Sequence, residues 1–204
     1  MLELLTGASL ALAAGLNAYI PLLAIGLLSR FTDFIALPTT WSWIESDIAL
    51  IVIGVLLVIE LIADKIPAVD TVNDVIQTII RPASGGIVFG SGANASTVAV
   101  ADPSAFFENN QWVPVAIGVG LALITHLVKT GFRIAATAMF VGFASPLLST
   151  FEDGVSAVGS FLALFAPVLA ALLLIGAIIG IVMLWRKRKE KTRQNRAVAN
   201  LTGS

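Results

Sequence analysis

The chain contains no cysteine, a single histidine and few charges for its length. Without cysteine there can be no disulfide framework, thiolate zinc site or cysteine nucleophile. With His126 as the lone imidazole, a multi-histidine metal centre within one chain is excluded. Charged residues make up 12% of 204, against about a quarter in soluble domains. The start, Met1-Leu2-Glu3-Leu4-Leu5, is acidic and has no basic n-region. It therefore reads as a retained helix rather than a cleaved signal peptide.

Apolar residues fill the space that charge leaves. They make up 57% of the chain, and the mean hydropathy is +0.94. Such a surface calls for lipid, where a crossing takes about 20 mostly apolar residues. The pattern predicts an all-α, polytopic transmembrane bundle of about six spans: 4–28, 48–63, 83–101, 113–128, 149–164 and 166–185. Residues 1–185 form the transmembrane domain, and 186–204 a basic tail. Two segments between spans are too charged to cross. In 67–81, Val69, Val72, Ile76, Ile79 and Ile80 form one stripe, with Asp70, Asn73, Asp74, Gln77 and Arg81 opposite. This predicts an amphipathic helix in the interface plane, begun at Pro67 and ended by Pro82. Residues 129–147 predict a second. Trp41 and Trp43 fit an interfacial aromatic belt.

Seven of the twelve basic residues lie between Arg186 and Arg196, leaving five against twelve acids in the body. With six crossings, the tail, Lys65, Arg81, Lys129 and Arg133 share one side, which predicts both termini in the cytosol. The basic tail suits anionic lipid rather than nucleic acid. Gly54 and Gly118, Lys65 and Lys129, and Pro82 and Pro146 are each 64 residues apart. This spacing suggests an internal repeat of span, charged helix, proline and span, a plan frequent in transporters.

Chemistry can reside in only a few places. Glu60 and Asp64 share a helix face at the end of one span, followed by Lys65. His126, Lys129 and Arg133 share a face at the end of another. The topology puts both groups at one depth, where they form either an ion-, proton- or anion-binding site or a salt-bridge layer that fixes packing. Asn17 either binds a ligand near a Pro21 kink or hydrogen-bonds a neighbouring helix. Asp70 and Asp74 are either paired carboxylates for catalysis or a divalent cation, or a solvated polar face. Ser149-x-x-Glu152 has the form of a helix capping box, with Asp153 favoured by the helix dipole. The glycines of Gly86-x-x-x-Gly90, Gly7-x-x-x-Ala11-x-x-x-Gly15 and Gly176-x-x-x-Gly180 suit close helix packing. No cofactor motif is present: the run Gly85–Gly92 lacks the Gly-Lys-Ser/Thr ending of a phosphate loop.

Asn17-Ala18-Tyr19-Ile20-Pro21, Asp64-Lys65-Ile66-Pro67-x-x-Asp70, Arg81-Pro82 and His126-x-x-Lys129-x-x-x-Arg133 occur in this order. Together they resemble a bacterial family of small polytopic membrane proteins classed as a domain of unknown function. The resemblance implies a membrane location and no established reaction or ligand. Three functions compete on the residues. A small carrier or channel for an ion or solute leads. A non-catalytic subunit of a larger membrane assembly, such as a respiratory complex, is the alternative. A lipid-acting enzyme has only the carboxylates near the headgroups behind it, and no enzyme is expected. Lipids, and protein partners or further copies in such an assembly, are the expected partners.

Overall fold

The computed structural model describes residues 2–33, 35–93, 112–139 and 144–166, together with 169, 172, 173 and 176. All regular structure among these residues is helical. The helices are α1 (Leu2–Ala14), α2 (Tyr19–Phe31), a 3-10 helix (Thr39–Glu45), α3 (Asp47–Ala63), α4 (Pro67–Ala93), α5 (Trp112–Met139) and α6 (Ala144–Phe165). Among the described residues, two segments are able by length and composition to cross a membrane, Trp112–Ile134 and Pro146–Phe165. A third arises if the 3-10 helix and α3, bent by 59° at their junction, act as one. All of 94–111, most of 166–185 and the tail from 186 lie outside the described residues, with Gly180 among them.

Four boundaries differ from those expected. The first span is two helices, broken at residues 15–18. Pro21 produces no kink. It lies in the first turn of α2, where an absent N–H removes no helical bond. Pro82 does not end a helix either: α4 runs through it for 27 residues. The stretch after Val128 is not a separate helix, because α5 continues to Met139 and α6 begins at Ala144. The two units spaced by 64 residues thus break at different places. α3 stops at Ala63, whereas the matching point, Leu127, lies inside α5. Pro82 is inside α4, whereas Pro146 opens α6.

The amphipathic stretch at 67–81 is inverted relative to a water-facing helix. Val69, Val72, Val75, Ile76 and Ile79 are exposed, whereas Asp70, Gln77 and Arg81 are buried. The polar side chains find their partners inside the protein: Arg81 meets Glu60 and His126, and Asp70 meets Arg133.

α4 and α5 pack antiparallel, and the pair has two unlike halves. In one, the backbones meet through glycine. A Cβ on Gly85 would strike Ala122 and the Gly118 carbonyl, and one on Gly90 would come to 2.8 Å from Trp41 and 2.9 Å from Val115. Gly86 fits against Val115 and Val119 in the same way. In the other half, Asp70, Asp74, Thr78 and Arg81 face His126 and Arg133. α1 lies against α4, α5 and α6, and its Leu10, Ala11 and Ala14 join Leu22, Ile25, Val88, Phe89 and Ala163 in the core. α3 sits at the edge. Ile48, Ile51, Val52, Val55, Val58, Ile59 and Ile62 are exposed, and Ile53, Glu60 and Ala63 are its buried residues.

Candidate polar site at the helix break

The break between α1 and α2 leaves backbone groups that no helix satisfies. Three other helices and Asn17 supply the partners. Asn17, fully buried, accepts from the N–H groups of Tyr19 (3.0 Å) and Ile20 (3.2 Å) and so caps α2. Its amide donates to Asp153 Oδ1 at 3.0 Å. Ser156 Oγ donates to the Ala13 carbonyl (3.0 Å), Lys129 Nζ to that of Leu16 (2.9 Å), and Ser84 Oγ to that of Ala18 (2.5 Å). Gly15 is needed where the break passes α5: a Cβ there would lie 2.5 Å from both the Ala122 carbonyl oxygen and Thr125 Cβ.

Two chains of polar contacts lead away from the break. The first starts at Lys129, which also pairs with Glu152 Oε2 at 3.0 Å. Arg133 Nη2 stands 3.7 Å from the same oxygen. Arg133 Nη1 reaches Asp70 Oδ1 at 2.5 Å and Asp74 Oδ2 at 3.4 Å. Asp74 Oδ1 is 4.0 Å from Arg81, whose Nη2 pairs with Glu60 Oε1 at 3.0 Å. The second chain starts at Asp153, 3.5 Å from Lys65 Nζ. Lys65 donates to Ser149 Oγ (2.8 Å), Ser149 donates to Asp64 Oδ2 (3.3 Å), and Asn73 donates to Asp64 Oδ1 (2.8 Å).

His126 has one tautomer available in this setting. Arg81 Nη1 lies 3.0 Å from Nδ1, and a guanidinium can only donate. Nδ1 therefore presents its lone pair, and Nε2 carries the hydrogen. Nε2 is 3.0 Å from Thr78 Oγ. The Thr78 hydroxyl donates to the Asp74 carbonyl at 2.9 Å, which leaves its oxygen to accept from the imidazole.

The structure brings Glu60, Asp64, Lys65, Asn17, His126, Lys129, Arg133, Asp70 and Asp74 into one connected layer around the break. The acidic and basic groups meet, but not directly. Glu60 reaches His126 through Arg81, which is 0% exposed. Asp70 and Asp74 are not a solvated face, since both turn onto Arg133. Ser149 and Glu152 form no capping box, because α6 starts five residues before Ser149. Their side chains join the layer instead. Arg81, Gln77, Thr78, Ser84 and Ser156 are the members that sequence reasoning passed over. For the first three the available signal was the i, i+4 and i+3 stripe shared with Asp70 and Asp74.

A family model matches residues 4–187. The chain belongs to the family described as domain of unknown function DUF4126. The match covers every described helix from residue 4 onward, including the whole polar layer. The family description names no reaction, ligand or partner. No curated protein and no solved structure matches the chain. The functional reading of the DUF4126 chain therefore rests on its own geometry. Among the described residues, the layer holds six carboxylates (Glu60, Asp64, Asp70, Asp74, Glu152 and Asp153) and four cations (Lys65, Arg81, Lys129 and Arg133). With His126 held as an acceptor toward Arg81, the carboxyl groups outnumber the cations by two.

Proposed function

We propose that this protein is a small carrier in the bacterial plasma membrane, moving an ion or small polar solute past the layer around the α1–α2 break. In this reading the chain crosses six times, with both termini and the basic tail in the cytosol, and α1 and α2 are the halves of one discontinuous span. Each half is about 20 Å long, too short to cross the roughly 30 Å hydrocarbon core alone. The observation that carries the reading is the break itself. Non-helical backbone at membrane depth is tolerated where protein buries it or where it lines a water-filled path. Here its two open ends are met by Asn17, Lys129, Ser84 and Ser156. Discontinuous helices with ionisable neighbours are how many transporters build a midplane site.

The second reading, a non-catalytic subunit of a larger assembly, is favoured by one observation. Each of the four cations in the layer lies within ion-pair distance of a carboxylate, as in a closed structural layer. The chain's lack of cysteine makes the choice testable. Single cysteines at Ala18, Ser84 and Ser156 would be treated in intact membranes with a membrane-impermeant thiol reagent, against a Val55→Cys control on the outer face of α3. A carrier gives labelling at the break from at least one side of the membrane. Labelling of none of the three, together with migration only within a larger complex on native gels, would favour the subunit reading.

A further inference from the structure

α3 and α4 run antiparallel across the layer, and two contacts fix their register. Glu60 meets Arg81 at one end, and Asp64 meets Asn73 at the other. Gln77 is four residues from each of Asn73 and Arg81, so it stands opposite the interval between the two carboxylates. Gln77 is 2% exposed and Glu60 1%. Glu60 Oε1 has the Arg81 guanidinium, but Glu60 Oε2 has no hydrogen-bond partner, and neither has Gln77 Oε1. Tyr19 of α2 lies against Gln77, with Glu60 and Arg81 in electrostatic reach. Two buried acceptors on facing helices thus lack a donor, beside a carboxylate, Asp64, that is held by the neutral donors Asn73 and Ser149. Orphaned buried acceptors are rare and call for an unseen partner.

The partner's charge follows from the surroundings. Both unpartnered atoms are acceptors and one belongs to a carboxylate, so a positive or proton-bearing occupant is favoured over a negative one. Among the described residues no three His, Asp or Glu side chains gather as a multivalent metal requires, so a single charge suits the donors. The charged and titratable groups facing Glu60 are Asp64 on its own helix, Arg81 on α4, Lys129 on α5 and Tyr19 on α2. His126 touches the far side of Arg81.

We infer that Glu60 Oε2 and Gln77 Oε1 form a site for a monovalent cation between α3 and α4. The cation is either a sodium ion ligated by the two oxygens or a proton carried on Glu60 and shared with Gln77. In both forms the occupant supplies the positive partner that the two acceptors lack. The site rests on the carrier reading for its use, as a coupling or cargo site, and not for its existence.

Full-length protein in detergent is the material for the test. Equilibrium binding of radioactive sodium in choline-substituted buffer reads the first form. The infrared band of a protonated carboxyl group, followed as pH falls through the physiological range, reads the second. In the sodium form, saturable binding of one ion per chain weakens at least about ten-fold in Gln77→Leu and is lost in Glu60→Gln. In the proton form, sodium does not bind. A carboxylic-acid band then appears in the wild type, shifts in frequency in Gln77→Leu, is absent in Glu60→Gln and persists in Asp70→Asn. Gln77→Leu keeps the Glu60–Arg81 pair, so a folding defect in Glu60→Gln does not remove the test. Neither sodium binding nor a band assignable to Glu60 means a fixed water only, and overturns the inference. Flux in proteoliposomes without either signal would overturn the site and leave the carrier standing. Either signal without flux would do the reverse.

Discussion

Replacing Lys129 with methionine should be among the most damaging single changes outside the glycine contacts. Lys129 is 4% exposed and holds both the Leu16 carbonyl (2.9 Å) and Glu152 (3.0 Å). Methionine preserves much of the volume and removes the charge. Breaking a buried ion pair from one side costs about 3–5 kcal/mol, because the remaining charge is left uncompensated. Loss of the donor to the Leu16 carbonyl adds about 1 kcal/mol. Arg133 Nη2, 3.7 Å from Glu152, offsets part of this, so the expected loss is about 4 kcal/mol. The double variant Lys129→Met/Glu152→Gln leaves no stranded carboxylate and should lose only about 1–2 kcal/mol. Reversible unfolding in mixed micelles, followed by the fluorescence of the chain's four tryptophans, measures both. A single-variant loss below about 1 kcal/mol would mean that the pair behaves like a solvated surface pair. A double-variant loss equal to the sum of the two singles would mean that the charges do not couple. Either result refutes the buried layer as described.

Other perturbations test separate parts of the molecule. Gly118→Ala sets a methyl group against the Gly85 backbone and Phe89 Cβ and should lower stability by about 1–3 kcal/mol. By contrast Gly54→Ala and Gly120→Ala, which meet nothing within 4 Å, should be neutral or mildly stabilising; thermal melts in detergent rank all three. Asn17→Ala removes the α2 cap and should lose about 1–2 kcal/mol. Asn17→Asp should lose more in the same melts although it keeps the cap acceptor, because it sets a second carboxylate against Asp153, now 3.0 Å from the Asn17 amide. His126, the single histidine, should show the nitrogen chemical shifts of the Nε2–H tautomer in an imidazole-labelled sample. A signal from the Nδ1–H tautomer would contradict the Arg81 contact.

Much of this arrangement was legible in the sequence, and what was not shares one cause. Helical spacing gathered Glu60 with Asp64 and His126 with Lys129 and Arg133, and placed the two groups at one level, where the structure connects them. Glycine spacing indicated the close approach of Gly86 and Gly90. The residue joining the two groups, Arg81, was missed because Pro82 was read as a helix end and the polar stripe before it as wet. Both rules belong to water. In a lipid-facing bundle the same stripe turns inward and neighbouring groups make a mid-helix proline tolerable. The break at 15–18 was hidden for a related reason. Gly15, Leu16 and Ala18 continue an apolar run that Asn17 alone interrupts, and the partners that stabilise an opened backbone come from positions far away in sequence, such as Lys129 and Ser156. Composition carries no record of such pairings.

Those distant partners bear on how the protein is made. The break between α1 and α2 is the first feature of the bundle to leave the ribosome, yet its supports are synthesised last: Ser84, then Lys129, then Asp153 and Ser156. In the membrane-spanning reading proposed above, the nascent chain has, until α6 emerges, opened carbonyls that the membrane interior cannot satisfy. On that reading the amino-terminal helices wait beside the insertion machinery or at the membrane surface, and settle only when the last polar hand-hold arrives. Chains halted before residue 153 should remain extractable or be degraded, whereas chains halted after residue 165 carry every support the break requires.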